Sequence, residues 1–147
     1  MWAVYFNIGV ERANRQIASS DDPGRLARSG YTYFHIPIVA GIIVAAVADE
    51  LVLHHPGGHD GHTEFGTAAV IIGGPALYLL GNMTFKRLSA PYFPLSHFIG
   101  LGLLLVLVAA YPYVTPLALS AGTTAALIVV AVWEWWSFRS PVALAKM

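Results

Sequence analysis

Long, uninterrupted apolar stretches dominate the pattern of hydrophobic and polar positions along the chain. Four of them are long enough to cross the hydrocarbon core of a bilayer, which takes about 20 helical residues. They cover roughly residues 31–53, 67–85, 95–113 and 117–138. The pattern predicts an all-α fold, a polytopic transmembrane helix bundle with four full spans that forms a single transmembrane domain over residues 1–147.

The breaks between these stretches are short and rich in glycine, proline and charged residues: HHPGGHDGHTEFG, KRLSAPYFP and YPYVTP. Connections this short predict that consecutive spans lie antiparallel to one another. Ahead of the first span, the segment MWAVYFNIGV is apolar but too short to cross a membrane. We interpret it as a truncated helix whose beginning is missing, with an interfacial helix to about Ser19 as the alternative. A truncated helix would make the chain part of a longer protein.

Composition excludes the soluble classes of protein. Hydrophobic residues make up 56% of the chain and charged residues 11%, whereas a soluble domain has about a quarter of its residues charged. A soluble enzyme and a nucleic-acid-binding protein are therefore both excluded. The chain contains no cysteine, which excludes disulfides and thiolate metal sites.

The basic residues predict an orientation, although the net charge of the chain is zero. All eight lysines and arginines precede the first span, lie between the second and third, or follow the fourth. Because such residues remain on the cytoplasmic side, we expect the loops 11–30 and 86–93 and the carboxy terminus to be cytoplasmic.

Polar residues at both ends of the first span are candidates for proton or cation handling. Thirteen apolar residues separate His35 from Asp49 and Glu50, a distance of about 21 Å along a helix. The helical repeat places all three on one stripe, which should face protein rather than lipid. One hypothesis is a proton- or cation-handling face. The alternative is that both ends reach the interfaces and bond to neighbouring backbone or water.

The loop after the first span gathers the residue types that divalent metals prefer. Imidazole and carboxylate ligate zinc, nickel and copper, and the candidates are His54, His55, His59, Asp60 and His62. The spacing does not match a fixed helical metal motif, so a solvated polar connector and a pH sensor remain open alternatives. The only cofactor that the sequence indicates is thus a possible divalent metal at this loop.

Gly73, Gly74 and Pro75 interrupt the second span, where proline removes a backbone donor. The pattern predicts either a helix break or a site of close helix packing. We expect one of the same two roles for Pro37 in the first span. His97 and Glu134 lie near span ends and are interpreted as interfacial anchors. The sequence contains no Ser–His–Asp arrangement, phosphate-binding loop or HExxH motif, so no recognisable set of catalytic residues supports an enzyme.

The segments YTYFHIPIVAGI, GGPALYLLG and PLSHFIGLGLL resemble the bacterial low temperature requirement A (LtrA) family. The family-like positions are His35, Pro37, Gly41, Glu50, His55, Pro56, Gly73, Gly74 and Pro75. Full-length members are longer, so the chain is similar to their carboxy-terminal part. The resemblance implies a multi-pass protein of the bacterial cytoplasmic (inner) membrane, linked to growth at low temperature, and it implies no particular substrate, reaction or cofactor.

Three functions follow as hypotheses, and the weakest of them is a membrane-embedded enzyme with a metal at the loop after the first span. The first is an LtrA-like membrane protein that contributes to adaptation to low temperature or membrane stress. The alternative is a proton- or cation-coupled permease that uses His35, Asp49 and Glu50. Four spans are few for a solute pathway, so besides the lipid bilayer we expect the missing amino-terminal helices or a homo-oligomer as partners.

Overall fold

The computed structural model describes residues 1, 22, 24, 28, 32–89 and 95–139. Along the chain, the helices are α1 (His35–His54), α2 (Phe65–Ser89), α3 (Leu95–Ala110), a short 3-10 helix (Tyr111–Tyr113) and α4 (Pro116–Arg139). Counting the 3-10 helix as an extension of α3, the described residues contain four helices long and apolar enough to cross a membrane. This confirms the predicted all-α, four-span fold. The predicted amino-terminal helix lies outside the described residues.

The helices alternate in direction, so the bundle has two chemically different ends. The basic end contains Lys86 and Arg87 in the last turns of α2, together with the start of α3 and the end of α4. The opposite end, here called the histidine end, contains His54 and the loop of residues 55–64 that follows it. These names describe the chain alone and do not depend on its orientation in a membrane.

α2 is the central helix of the described bundle. Its most apolar window is 61% buried, compared with 22%, 22% and 28% for the corresponding windows of α1, α3 and α4. It packs most extensively against α1 and also contacts α3 and α4, whereas α1 and α4 contact each other only sparsely. The buried side chains Ile71, Tyr78, Leu79 and Phe85 of α2 supply much of the core.

Small residues allow α1 and α2 to approach closely. A Cβ atom at Gly41 would lie 2.5 Å from the backbone nitrogen of Tyr78, and one at Gly74 would lie 2.8 Å from the backbone nitrogen of Ala45. Both distances are shorter than a van der Waals contact, so the two helices could not pack this closely with larger residues there. In a membrane, where apolar burial alone does not favour helix association, such close packing holds helices together.

Neither proline of the two helices produces a break. Pro37 is the third residue of α1, in the first turn, where a missing amide breaks no intrahelical hydrogen bond. α2 continues without interruption through Pro75, so the predicted alternative of an unwound helix is not observed. Gly74 lies in the contact between α1 and α2, whereas a Cβ atom at Gly73 would meet no other atom within 4 Å.

The loop at the histidine end is a docked turn. The backbone φ angles of Asp60 and Gly61 are 51° and 82°, and the His62 amide donates to the His59 carbonyl at 3.0 Å. These φ values match the type I′ turn, for which Asp-Gly is a favoured pair. The buried Thr63 hydroxyl donates to the Val114 carbonyl at 2.7 Å, which fixes the loop to the connection between α3 and α4.

Candidate functional site

Four polar side chains from three helices meet near the basic end and form what we call the charge cluster: Lys86, Ser96, His97 and Glu134. The Lys86 ammonium donates to both carboxylate oxygens of Glu134, at 2.6 and 2.7 Å. The Ser96 hydroxyl donates to Glu134 Oε1 at 3.3 Å, and His97 Nδ1 lies 3.3 Å from the same oxygen. Glu134 is therefore the centre on which α2, α3 and α4 converge.

The charge cluster is buried inside the protein. The side chains of His97, Glu134 and Lys86 are 0%, 4% and 11% exposed. Lysine near a helix end can extend its ammonium group towards the interface, but Lys86 instead reaches Glu134 on another helix. Removing these charges from water is costly, so their position between helices requires a structural or a functional explanation.

Two buried polar atoms at this level have no hydrogen-bond partner among the described residues: His97 Nε2 and Asn82 Oδ1. The amide nitrogen of Asn82 donates to the Tyr78 carbonyl at 3.1 Å. Unsatisfied buried polar atoms are rare in native proteins and often mark sites that bind water or a ligand, or that perform chemistry. Among the described residues, the imidazole of His97 thus has Nδ1 beside Glu134 and no hydrogen-bond partner for Nε2.

Helix packing places these two atoms at a similar depth in the bundle. A Cβ atom at Gly100 would touch Val130 at 2.5 Å and Leu79 at 3.0 Å, so these three residues form one layer of α3, α4 and α2. Moving one helical turn towards the basic end leads from Gly100 to His97, from Leu79 to Asn82 and from Val130 to Glu134. Asn82, His97 and Glu134 therefore occupy the next layer.

A side cleft opens between α1, α2 and α4, where α1 and α4 diverge, and Met1 also lines it. Its volume is about 480 Å³, and its polar lining residues include Asp49, Ser120, Thr123 and Thr124. The cleft extends along α4 as far as Ala131. Ala131 precedes Glu134 by three residues, or about 4.5 Å along the helix axis, so the side cleft ends within one helical turn of the charge cluster.

The structure separates the residues predicted to form a relay in the first span. His35 lies at the basic end, where its ring packs edge-on against Phe85 at a centroid distance of 4.9 Å. At the other end, Asp49 and Glu50 are both exposed. Asp49 lines the side cleft, whereas Glu50 contacts His54, with Oε1 3.4 Å from Nδ1. A direct role of these three residues in proton transfer remains a prediction.

The candidate metal ligands in the loop are exposed, and only some of them interact. His59 Nδ1 lies 3.0 Å from Asp60 Oδ2, and the rings of His54 and His55 are 6.5 Å apart. Among the described residues, which include this entire loop, no group of three or more His, Asp or Glu side chains is arranged to hold a metal ion. Metal binding by His54, His55, His59, Asp60 and His62 stays a prediction.

The charge cluster is the part of the site that sequence reasoning missed. The sequence predicts His97 and Glu134 to be interfacial anchors, but both are buried and interact with each other, so that prediction is wrong. No sequence motif marks Lys86 or Ser96. The available signal was a lysine, a histidine and a glutamate near span ends at the same end of the bundle, which could neutralise one another by facing inwards.

Comparisons with known proteins show what the chain is similar to. The family model described as "Bacterial low temperature requirement A protein (LtrA)" matches residues 1–132. An uncharacterized protein of Rhizobium meliloti (strain 1021) is 39% identical over 138 residues, which cover 92% of this chain and 32% of that relative. The chain thus spans about a third of the length of this curated relative. No solved structure matches the chain significantly.

Proposed function

The chain belongs to the bacterial low temperature requirement A family, and from this premise we propose that it is a multi-pass membrane protein that couples the movement of protons to that of a cation. The observation that carries this proposal is the charge cluster of Lys86, Ser96, His97 and Glu134, buried between three membrane-spanning helices. The proposed transporter acts as a homo-oligomer or together with further helices, because four spans are few for a solute pathway.

The chemistry of the charge cluster favours protons as the species that it handles. Lysine, histidine and glutamate all gain and lose protons, and buried ionisable residues in membrane helices commonly form proton relays. The imidazole of His97 can receive a proton at one nitrogen and release one at the other. Because Nδ1 faces Glu134 while Nε2 has no partner among the described residues, the ring is placed to pass a proton between Glu134 and an acceptor on the Nε2 side of the ring.

We further propose the cytoplasmic membrane as the location, with the basic end on the cytoplasmic side. The lysines and arginines support this orientation, because positively charged residues that flank membrane spans are found mainly on the cytoplasmic side. In this orientation the charge cluster lies near the cytoplasm, and Asp49 and Ser120 of the side cleft lie nearer the outside. The cleft and the cluster together would then provide polar groups over most of the bundle's length.

Proton flux into proteoliposomes tests the proposed transport. We expect the purified protein to dissipate an imposed pH gradient when alkali cations are present on the other side of the membrane, measured with a pH-sensitive dye inside the vesicles. The double variant Lys86→Met/Glu134→Gln, which removes both charges together and leaves neither one unpaired, is expected to lose this flux. Glu64→Gln removes an exposed carboxylate in the loop and is the matched control, expected to retain the wild-type rate.

Circular dichroism on the same vesicles shows whether the double variant is folded. If the folded double variant transports protons as fast as the wild type, the charge cluster is a structural feature only, and the transport proposal fails. Equal loss of flux in Glu64→Gln would also contradict it, because that residue lies outside the cluster.

A role in growth at low temperature is the second proposal, supported by the family to which the chain belongs. We expect a host strain that lacks the gene to grow more slowly in the cold, and the wild-type gene to restore growth. If coupled transport underlies this role, the Lys86→Met/Glu134→Gln gene should not restore growth although its protein is present in the membrane. Restoration by that gene would separate the growth phenotype from the charge cluster.

A further inference from the structure

The side cleft has features that the charge cluster does not explain. Asp49 lies five residues before the end of α1 and Ser120 four residues after the start of α4, so both lie about 6–8 Å from the histidine end. Thr124 lies one turn deeper on α4. These three side chains line one cleft, so a carboxylate and two hydroxyl groups face a shared space within the depth of the bundle.

Pro75 adds a backbone oxygen to this set. In a continuous helix the amide of residue 75 would donate to the carbonyl of Ile71, but proline has no amide hydrogen. α2 continues through Pro75, so the Ile71 carbonyl lacks its regular helical partner. Ile71 and Pro75 both line the side cleft. Backbone carbonyls freed in this way are among the groups that coordinate cations in membrane transporters.

The lining of the cleft determines which kind of ligand it suits. Carboxylate, hydroxyl and carbonyl oxygens are hard ligands, which bind alkali and alkaline-earth cations rather than soft metals. The described residues that line the cleft contribute a single carboxylate, that of Asp49, and no basic side chain. One negative charge balances a monovalent cation, whereas calcium sites usually combine several carboxylates.

We propose that the side cleft is a binding site for a small monovalent cation, held by the Asp49 carboxylate, the Ile71 carbonyl and the hydroxyl groups of Ser120 and Thr124. The inference rests on the proposed function, because it identifies the cation that would be coupled to protons. Thr124, the deepest of these ligands on α4, lies ten residues before Glu134, or about 15 Å along the helix axis. A cation in the cleft and a proton on the charge cluster would influence each other electrostatically through the low-dielectric interior between them.

Equilibrium binding of radioactive sodium to the purified protein in detergent micelles tests the site, with no transport required. We expect saturable binding that Asp49→Asn weakens by about tenfold or more, since it removes the only carboxylate among the described residues that line the cleft. Glu50→Gln is the matched control. It removes the neighbouring carboxylate, which points to His54 rather than lining the cleft, and should change the affinity by less than about twofold.

Pro75→Ala tests the backbone oxygen separately. Alanine supplies the missing amide, so the Ile71 carbonyl would be occupied by a helical hydrogen bond while the helix itself is preserved. We expect sodium affinity to fall by about threefold to tenfold, the range for losing one polar ligand. Because the substitution favours the helix, a loss of affinity cannot be attributed to unfolding.

Three results would overturn the inference: no saturable sodium binding by the wild type, equal weakening by Asp49→Asn and Glu50→Gln, or unchanged affinity in Asp49→Asn. The Lys86→Met/Glu134→Gln variant distinguishes the two proposals. It should still bind sodium, since neither residue lines the cleft, even though it is expected to lose flux. Sodium binding without any proton flux would contradict the proposed function alone.

Discussion

Glu134→Gln is expected to lower the free energy of unfolding by about 3–5 kcal/mol, because it leaves the buried ammonium of Lys86 without its counter-ion. Lys86→Met should have a similar effect, since it leaves the Glu134 carboxylate uncompensated. The two groups are 11% and 4% exposed and joined by two short hydrogen bonds, so water cannot easily replace the missing partner. The measurement is equilibrium unfolding in mixed detergent micelles, followed by circular dichroism.

The double variant Lys86→Met/Glu134→Gln completes a thermodynamic cycle and provides the control. Replacing a buried ion pair by neutral groups is often nearly neutral in stability. We therefore expect the double variant to be more stable than either single variant, with a coupling energy of about 2 kcal/mol or more. Strictly additive losses would show that Lys86 and Glu134 do not interact in the folded protein.

This comparison also distinguishes a structural ion pair from a functional one. If the double variant is as stable as the wild type but inactive in proton flux, the charges are retained for function rather than for stability. A purely structural pair would give the opposite pattern, with a loss of stability and no change in the flux of folded protein. The stability and flux measurements therefore have to be made on the same variants.

The sequence was sufficient to predict the four helices, because a membrane span depends on a local property, the length of an apolar stretch. The observed ends differ from the predicted ones by a few residues, as at α1, which begins at His35 rather than near residue 31. The docked turn was also encoded locally, in the Asp60-Gly61 pair.

The charge cluster could not be predicted in the same way, since it depends on which helix faces meet. Lys86, His97 and Glu134 are far apart in the sequence, and each lies near a span end, where a charged residue can contact water. Only the packing of Gly100 against Leu79 and Val130 brings the next layer of residues together. Asp49 and Glu50 illustrate the same limit: adjacent in sequence, they differ because only Asp49 lines the side cleft.

Gly74→Ala is expected to destabilise the bundle by about 1–3 kcal/mol, the range for forcing extra volume into a well-packed core. The added Cβ atom would lie 2.8 Å from the Ala45 nitrogen and 3.1 Å from the Gly41 carbonyl oxygen. Both are backbone atoms, which cannot rotate away as a side chain could, so α1 would have to move away from α2. Because α1 contacts α4 only sparsely, its attachment depends mainly on this contact with α2.

Gly73→Ala is the matched control, because it makes the same chemical change at the neighbouring position. A Cβ atom there meets no other atom within 4 Å, and alanine favours a helix over glycine by up to about 1 kcal/mol. We therefore expect unfolding in mixed micelles to show Gly73→Ala as neutral or slightly stabilised and Gly74→Ala as destabilised. Equal behaviour of the two variants would mean that the close approach of α1 and α2 does not hold the bundle together. The side cleft depends on the position of α1, so Gly74→Ala should also weaken sodium binding while Gly73→Ala leaves it intact.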